Sequence, residues 1–245
     1  MFVKYISIIT CTICFLYTSY VLCNLIYFLS NHNENKEIII SSNKDENNDS
    51  LLWFLITNTC LLSIFMLQHS LMASDFVKHL FCNLHMDYME RCIYNVVSAM
   101  VLHLLISKWE VISSVILWNL DTSSNNILWY TFTGFHVFAW SVIYSGCLMM
   151  DIAELIGLKQ VHYKFSSKLS PMSIKSKELL RYYSHMRHPS FIGFLIILWI
   201  YPYMTLDRVL LASILTAYMA FTWTIDMEDY NYHANLVKRK RRELF

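Results

Sequence analysis

The chain has 245 residues, of which 56% are hydrophobic, 16% aromatic and only 15% charged. These proportions exclude an ordinary soluble domain, because too few polar side chains remain to cover a water-facing surface. The net charge of +1 gives no reason to expect a general affinity for nucleic acid, so no direct nucleic-acid partner is expected. The composition predicts an integral membrane protein whose first partner is the lipid bilayer.

Six apolar segments qualify as candidate membrane spans, since a hydrocarbon core about 30 Å thick takes roughly 20 residues of helix. The fifth segment is short and contains Pro202, so we expect it to tilt, break or pair tightly with the sixth. The sequence predicts an all-α, polytopic membrane helix bundle of about six spans in a single domain, residues 1–245. Four full spans plus a re-entrant hairpin is the alternative. The six segments are Phe2–Leu29, Leu51–Ala73, Cys92–Trp109, Ile127–Met150, Phe191–Met204 and Val209–Ile225.

The first segment carries Lys4 near its start, as a signal peptide would. Its apolar run is too long for a signal peptide, and no small-residue cleavage pattern follows it. We therefore expect a retained span. Residues 30–50 are rich in Asn, Ser, Asp and Glu, a composition typical of a flexible loop, here on the lumenal side.

Lysine and arginine indicate the orientation, because positive residues accumulate on the cytosolic side of a membrane. The segment 151–190 and the tail 226–245 are both basic and flank the hairpin of spans five and six, so they share one side. That side is cytosolic or, in a nuclear membrane, nucleoplasmic. Counting back along the chain places Lys78, Arg91 and the N-terminus with Lys4 on the same side.

Cysteine and histidine do not predict a metal site. Cys11 and Cys14 form a C-x-x-C pattern, but they lie one turn apart in an apolar helix, where cysteine behaves as a small hydrophobe. The ten histidines include no H-E-x-x-H motif. His103 and His136 lie deep within spans three and four, where a functional role and a hydrogen bond to a neighbouring helix are both open. His69 ends span two, at the interface or lining a pocket there.

The basic segment between spans four and five has two parts. Residues 151–160 are expected to be the frayed end of span four, with Gly157 as a C-cap. Residues Ser173 to His185 are typical of a short amphipathic helix directed at anionic headgroups. This helix should end before Pro189, because a proline disfavours helical geometry at the preceding residue.

A charged hinge, Arg187–Gly193, opens an apolar hairpin that closes on acidic residues at 226–229. The R-H-P-x-F-x-G pattern and the returning carboxylates resemble the membrane methyltransferases typified by isoprenylcysteine carboxyl methyltransferase. This resemblance implies a pocket for S-adenosylmethionine in which Arg187, His188 and Pro189 contact the amino-acid or adenosine end. Glu228 would hold a polar group of the cofactor. The full set of candidate cofactor-binding residues is Gln160, His185, Arg187, His188, Pro189 and Glu228.

Longer strings resemble the nurim family of multi-span inner nuclear membrane proteins. This resemblance extends over most of the chain, apart from the expanded lumenal loop. It implies residence in the nuclear envelope, tight membrane association and no established catalytic reaction, with the nuclear lamina or inner nuclear membrane proteins as partners. The endoplasmic reticulum membrane is the alternative location. The strings are residues 68–73, 108–110, 115–118, 154–161 and 184–189.

The acceptor end of the methyltransferase pattern differs in this chain. The carboxyl methyltransferases place an arginine just before their glutamates, and an arginine fork is well suited to bind a carboxylate. Residues 221–224 read Phe-Thr-Trp-Thr instead. The favoured hypothesis is therefore a non-catalytic inner nuclear membrane protein on a methyltransferase-like scaffold. The alternative is an S-adenosylmethionine-dependent methyltransferase acting on a lipophilic or small acceptor. The basic tail at 238–242 is expected to contact an anionic leaflet.

Overall fold

A computed structural model of the chain describes most of the helical segments. The described part is almost entirely helical with one small sheet, which confirms the expected all-α membrane bundle. Residues 32–47 of the lumenal loop expected at 30–50 and the amphipathic helix expected at Ser173–His185 lie outside the described residues, while residues 48–50 are helical instead. The described residues are 2–31, 48–122, 124–149, 151–166 and 190–222, together with 234–235, 237–238 and 240–242.

The elements follow one another in chain order with short connections. They are α1 (Phe2–Ser30), α2 (Asn48–Ala73), α3 (Asp75–Asn83), a 3-10 helix (Asp87–Met89), α4 (Glu90–Ser107), β1 (Ile116–Asn119), α5 (Asn126–Met149), α6 (Ile152–Ile156), α7 (Leu158–Phe165), α8 (Phe191–Trp199), β2 (Tyr203–Thr205) and α9 (Leu206–Thr222).

Three helical stretches among the described residues are long and apolar enough to cross a membrane: Val3–Ser30, Leu51–Ala73 and Asp87–Ser107. They belong to α1, α2 and α4. With 24 residues, α5 reaches about 36 Å at 1.5 Å per residue, which also matches a bilayer core. The total of about six spans stays a prediction.

The fifth predicted span breaks, as expected. The helix α8 has nine residues, so it extends about 14 Å, roughly half of a hydrocarbon core. Ile200 leaves the helical region with φ −90° and ψ 75°, and Pro202 follows with no N–H to continue a helical ladder. The chain then forms β2, which pairs antiparallel with β1 in the register Ile116 with Thr205 and Asn119 with Tyr203. This short sheet was not predicted.

The main core lies where α1, α2, α4, α5, α8 and α9 meet. Its fully buried members include Leu62, Ala139, Ile197 and Ala212. Gly193 allows the closest approach in this core: a Cβ placed there would lie 2.6 Å from Ile143 Cγ1 and 2.8 Å from the Ala139 carbonyl oxygen. The glycine of the hinge motif therefore lets α8 pack directly against α5.

Two short helices follow α5 in place of the expected frayed end. Asp151 has φ 64°, and its Oδ1 accepts a hydrogen bond from Ala153 N at 3.1 Å, which caps α6. Gly157 is the predicted C-cap, in the left-handed region with φ 96°. A non-helical residue at each end of α6 separates it from α5 and from α7.

We call the membrane face that carries α3, the 3-10 helix and α7 the basic side. These elements lie together, because Lys164 Nζ is 3.6 Å from Asp87 Oδ1 across the contact between α7 and the 3-10 helix. The end of α1, the sheet and the start of α9 lie at the other end of the spans, which we call the opposite side. There Arg208 contacts the carbonyl groups of Phe28 and Leu29.

Candidate functional site

The described residues contain one member of the candidate cofactor site, Gln160 on α7. The other five lie outside the described residues, so their convergence stays a prediction. They are His185, Arg187, His188, Pro189 and Glu228.

In the side-chain amide of Gln160, the nitrogen is hydrogen-bonded and the oxygen has no donor among the described residues. Its Nε2 donates to the Glu154 carbonyl oxygen at 3.0 Å, and because a carbonyl only accepts, this fixes the amide orientation. Its Oε1 is buried and has no hydrogen-bond donor within the described part of the chain. Such an acceptor costs about 1–3 kcal/mol when it is left unpaired. The atom would suit a ligand that donates an N–H, such as the amino group of S-adenosylmethionine.

The turn between α6 and α7 is held against the first turns of α4. A Cβ on Gly157 would lie 2.9 Å from Cys92 N, so no other residue permits this approach. Asn95 Nδ2 also donates to the Leu155 carbonyl oxygen at 2.7 Å. These contacts fix the position of Gln160 relative to the spanning helices.

An ion pair closes the same turn on its outer side. Lys159 Nζ lies 2.7 Å from Asp151 Oδ2. The hydrogen bond from Lys159 holds the pKa of the Asp151 carboxyl below its usual value. Its contribution is present at neutral pH and is lost as the pH falls through that lowered pKa. Both side chains are partly exposed, so the contribution is below about 1 kcal/mol.

A third cysteine lies beside the C-x-x-C pattern, which spacing along the chain did not reveal. Cys92 on α4 lies in one buried cluster with Cys11 of α1, and Cys14 packs against that cluster. Met89 and Val161 complete this small buried cluster. No group of histidine, cysteine, aspartate or glutamate within the described ranges is arranged to hold a metal ion. The thiols serve here as packing between α1, α4 and α7.

Polar contacts join α2 to α4 and α9 near the basic side. The Tyr94 hydroxyl lies 2.9 Å from His69 Nδ1, and Ser70 Oγ lies 3.0 Å from the Tyr218 hydroxyl. Gln68 Nε2 donates to Ser98 Oγ at 3.2 Å. His69, which the sequence left open as an interfacial or pocket residue, is therefore tied to α4.

The two histidines deep within the spans are hydrogen-bonded to other elements, which confirms the expectation of a hydrogen bond to a neighbouring helix. His103 Nδ1 lies 3.0 Å from the Tyr17 hydroxyl of α1. His136 Nε2 lies 3.0 Å from the Ile200 carbonyl oxygen and must donate to it, so Nδ1 accepts from Ser30 Oγ at 2.9 Å. In this way His136 joins α5 to the end of α1 and to the break after α8.

Two charged residues on the opposite side, Asp207 and Arg208, are buried, which the sequence did not predict. Arg208 Nη2 donates to the Leu29 carbonyl oxygen at 2.9 Å and Nη1 to that of Phe28 at 3.4 Å. These carbonyls belong to the last turn of α1, which has no helical donors for them. The guanidinium carbon also lies 3.6 Å from the centre of the Tyr201 ring, at cation–π distance. A cation thus caps the negative end of the α1 dipole.

Asp207 fixes the segment between α4 and β1. Its Oδ2 accepts from Trp109 Nε1 at 3.0 Å and its Oδ1 from Ile112 N at 3.1 Å. Asn58 of α2 binds the same segment through both polar atoms of its amide, to Glu110 N at 3.0 Å and Glu110 O at 2.7 Å. The sequence feature that could have revealed these buried charges is the pair Asp207-Arg208, directly before the predicted start of span six.

The space beside this network is too small for a ligand. A cavity of about 20 Å³ is lined by Asp207, Arg208 and neighbouring aromatic and apolar side chains. That volume is close to one water molecule. Among the described residues, the buried charges on the opposite side hold helices and connecting segments together.

Comparison with known proteins identifies the family. The chain is 40% identical to the nurim homolog of Drosophila melanogaster over 190 residues, which are 78% of this chain and 75% of that relative. It is 35% identical to human nurim over 197 residues, 78% of this chain and 73% of the relative. The chain belongs to the nurim family. No protein-family model and no solved structure matches this nurim-family chain.

The strings that resembled the nurim family coincide with contacts seen in the structure. Residues 68–73 supply the polar contacts of α2 with α4 and α9. Residues 108–110 supply Trp109 and Glu110, which bind Asp207 and Asn58. Residues 154–161 form the turn that carries Gln160. These three nurim-family segments help to join helices of the bundle, alongside contacts from other segments such as that of His103 with Tyr17.

Proposed function

We propose that this nurim-family chain is a non-catalytic, multi-pass protein of the inner nuclear membrane. The observation that carries the proposal is its 35–41% identity to nurim proteins of fly and mammals over 78% of its length. The methyltransferase-like scaffold belongs to the proposal, because it rests on the pattern at Arg187–Gly193 and 226–229 in the sequence.

The hydrogen bonds that the buried polar groups make to other elements support a structural role. Asn58, His136, Asp207 and Arg208 are buried, and their hydrogen bonds run to other elements of the bundle. Polar groups are costly within a membrane, so such contacts specify which helices meet. The absence of a basic residue at 221–224 supports the same proposal, since it removes the arginine that would bind a substrate carboxylate.

The proposed partners are the lipid bilayer and the nuclear lamina or other inner nuclear membrane proteins. The tail carries a basic surface suited to acidic partners on the nucleoplasmic side or to anionic headgroups. Its described basic residues, Lys238, Lys240, Arg241 and Arg242, are all exposed.

The location can be tested with the full chain carrying a C-terminal epitope. We expect immunogold particles on the nucleoplasmic face of the inner nuclear membrane. Antibody should reach the epitope only after the nuclear membranes are permeabilised, not after selective opening of the plasma membrane. An even distribution through the endoplasmic reticulum, or staining after plasma-membrane permeabilisation alone, would contradict the proposal.

One observation favours a second candidate function, an S-adenosylmethionine-dependent methyltransferase with a lipophilic or small acceptor. Gln160 holds a buried acceptor without a donor in the described part of the chain, within the candidate cofactor site. The cofactor would supply the methyl group on its sulfonium. Gln160 would orient its amino group, with His185, Arg187, His188, Pro189 and Glu228 as the other proposed contacts.

Titration calorimetry with the full chain in lipid nanodiscs separates the two candidates. The non-catalytic proposal predicts no heat of S-adenosylmethionine binding. The second candidate predicts binding that weakens several-fold in Gln160→Leu and disappears in His188→Ala and in Glu228→Gln. Gln68→Leu is the matched control, because the Oε1 of Gln68 is also buried without a donor in the described segments but lies on α2. Equal loss in Gln68→Leu would point to misfolding and remove the support for a cofactor site at Gln160.

A further inference from the structure

The helix α3 carries an exposed apolar stripe. Phe76 is 74% exposed, Leu80 49% and Leu84, which caps the helix, 59%. Because residues four apart lie on one face of a helix, these three side chains form a single line. Val77, on the adjacent face, is buried against the rest of the protein. The helix is therefore docked on the bundle by one face while a second apolar face is left outward.

The position of α3 relative to the spans is fixed by its neighbours. Ser74 alone separates it from α2, with an extended backbone at φ −69° and ψ 151° that turns the chain. Only residues 84–86 separate it from the 3-10 helix that leads into α4. Both neighbouring stretches are long and apolar enough to cross a membrane. The helix α3 therefore lies at the membrane face where one span ends and the next begins.

Exposed apolar side chains lie on both sides of the bend between α2 and α3. Leu67 and Leu71, in the last turns of α2, are 70% and 60% exposed. Such side chains on a spanning helix face acyl chains. After the bend, Phe76 is the next exposed large apolar side chain along the sequence.

Asp75, Lys78 and Cys82 of α3 lie on the side away from the stripe, while His79 and Asn83 lie along its edge. Lys78 and Cys82 are exposed there, and Lys78 Nζ is 2.8 Å from Asp75 Oδ1. Lys164 lies on the neighbouring α7, half exposed. An apolar stripe opposite a charged face is the pattern of a helix that lies flat in a membrane interface.

We propose that α3 is an in-plane membrane helix that inserts Phe76, Leu80 and Leu84 among the acyl chains of the leaflet on the basic side. The occupant of the stripe is phospholipid. The position of α3, one residue after a candidate membrane span whose last turns expose Leu67 and Leu71, favours lipid over a second protein. The inserted helix anchors the connection between α2 and α4 at a fixed depth.

Photolabelling of the full chain in nanodiscs of phosphatidylcholine and phosphatidylserine tests this proposal. The lipid carries a diazirine near the end of its acyl chain, and adducts are mapped by mass spectrometry. We expect acyl adducts at Phe76, Leu80 and Leu84, while a membrane-impermeant maleimide labels Cys82. Leu80→Asp should lower the adduct yield at Phe76 several-fold, whereas the matched variant Lys78→Asp should leave it unchanged.

Two results would overturn the proposal. One is oxidation of Phe76 and Leu84 by hydroxyl radicals as readily in nanodiscs as in the urea-unfolded chain, with no acyl adduct. The other is protection of both side chains without lipid adducts but with crosslinks to residues 167–189 or to a second copy of the chain. The first result would place the stripe in water, and the second would place protein on it.

Discussion

Replacing Arg208 with alanine is expected to lower the free energy of unfolding by about 1–3 kcal/mol for each buried carbonyl oxygen that loses its hydrogen-bond donor. The change leaves the carbonyl groups of Phe28 and Leu29 without their donors on the opposite side. It also removes the cation from the Tyr201 ring and from the neighbourhood of Asp207. Unfolding in mixed detergent and denaturant, followed by circular dichroism, measures the loss.

Two further variants show whether the loss comes from geometry or from charge. Arg208→Lys keeps the charge but loses the planar fork that reaches two carbonyls and lies on the ring, so we expect a smaller but clear loss. Arg242→Ala, an exposed residue of the tail, should unfold like the wild-type chain. If Arg208→Ala were as stable as Arg242→Ala, the proposed cap on α1 would be wrong.

Replacing Gly193 with alanine is expected to destabilise the bundle by about 1–3 kcal/mol, because an added methyl group in a packed core forces neighbours apart. One neighbour is the backbone oxygen of Ala139, which cannot move without displacing α5. The other is Ile143 Cγ1, close to its own backbone. The same unfolding measurement applies.

The chain contains a matched control for this glycine. Gly134 is also helical, but a Cβ there would meet nothing within 4 Å. Gly134→Ala should therefore be neutral or more stable by up to about 1 kcal/mol, as for glycine to alanine in a helix. Equal stability of Gly193→Ala and Gly134→Ala would show that α8 and α5 are not in close contact.

The sequence predicted the long helices well, because their apolar length is a local property. The bounds expected for α1, α2 and α5 differ from the structure by three residues at most. Gly157 was recognised as a C-cap because a helix end often requires a left-handed residue, which glycine adopts at little cost.

The parts that were missed depend on partners distant in the sequence. Arg208 binds carbonyl groups 179 and 180 residues away, and Cys92 packs with a cysteine pair on another helix. The strands β1 and β2 are four and three residues long, and they form because each supplies the other with hydrogen-bond partners. No local pattern carries this information.

The hinge motif shows the same division between local and distant information. The sequence assigned Arg187–Gly193 to a cofactor pocket by resemblance. The structure gives its last residue, Gly193, a packing role against α5 that spacing does not indicate. The assignment of Arg187, His188 and Pro189 stays a prediction, since these residues lie outside the described part.

The central proposal is that this nurim-family chain is a non-catalytic protein of the inner nuclear membrane. Methyl transfer from isotopically labelled S-adenosylmethionine tests it most directly, using folded full-length protein in nanodiscs made with nuclear-membrane lipid extract. The account predicts no label in lipid, protein or small-molecule fractions above that of heat-denatured protein. Label that enters any of these fractions, and that is lost in Gln160→Leu and His188→Ala, would contradict it.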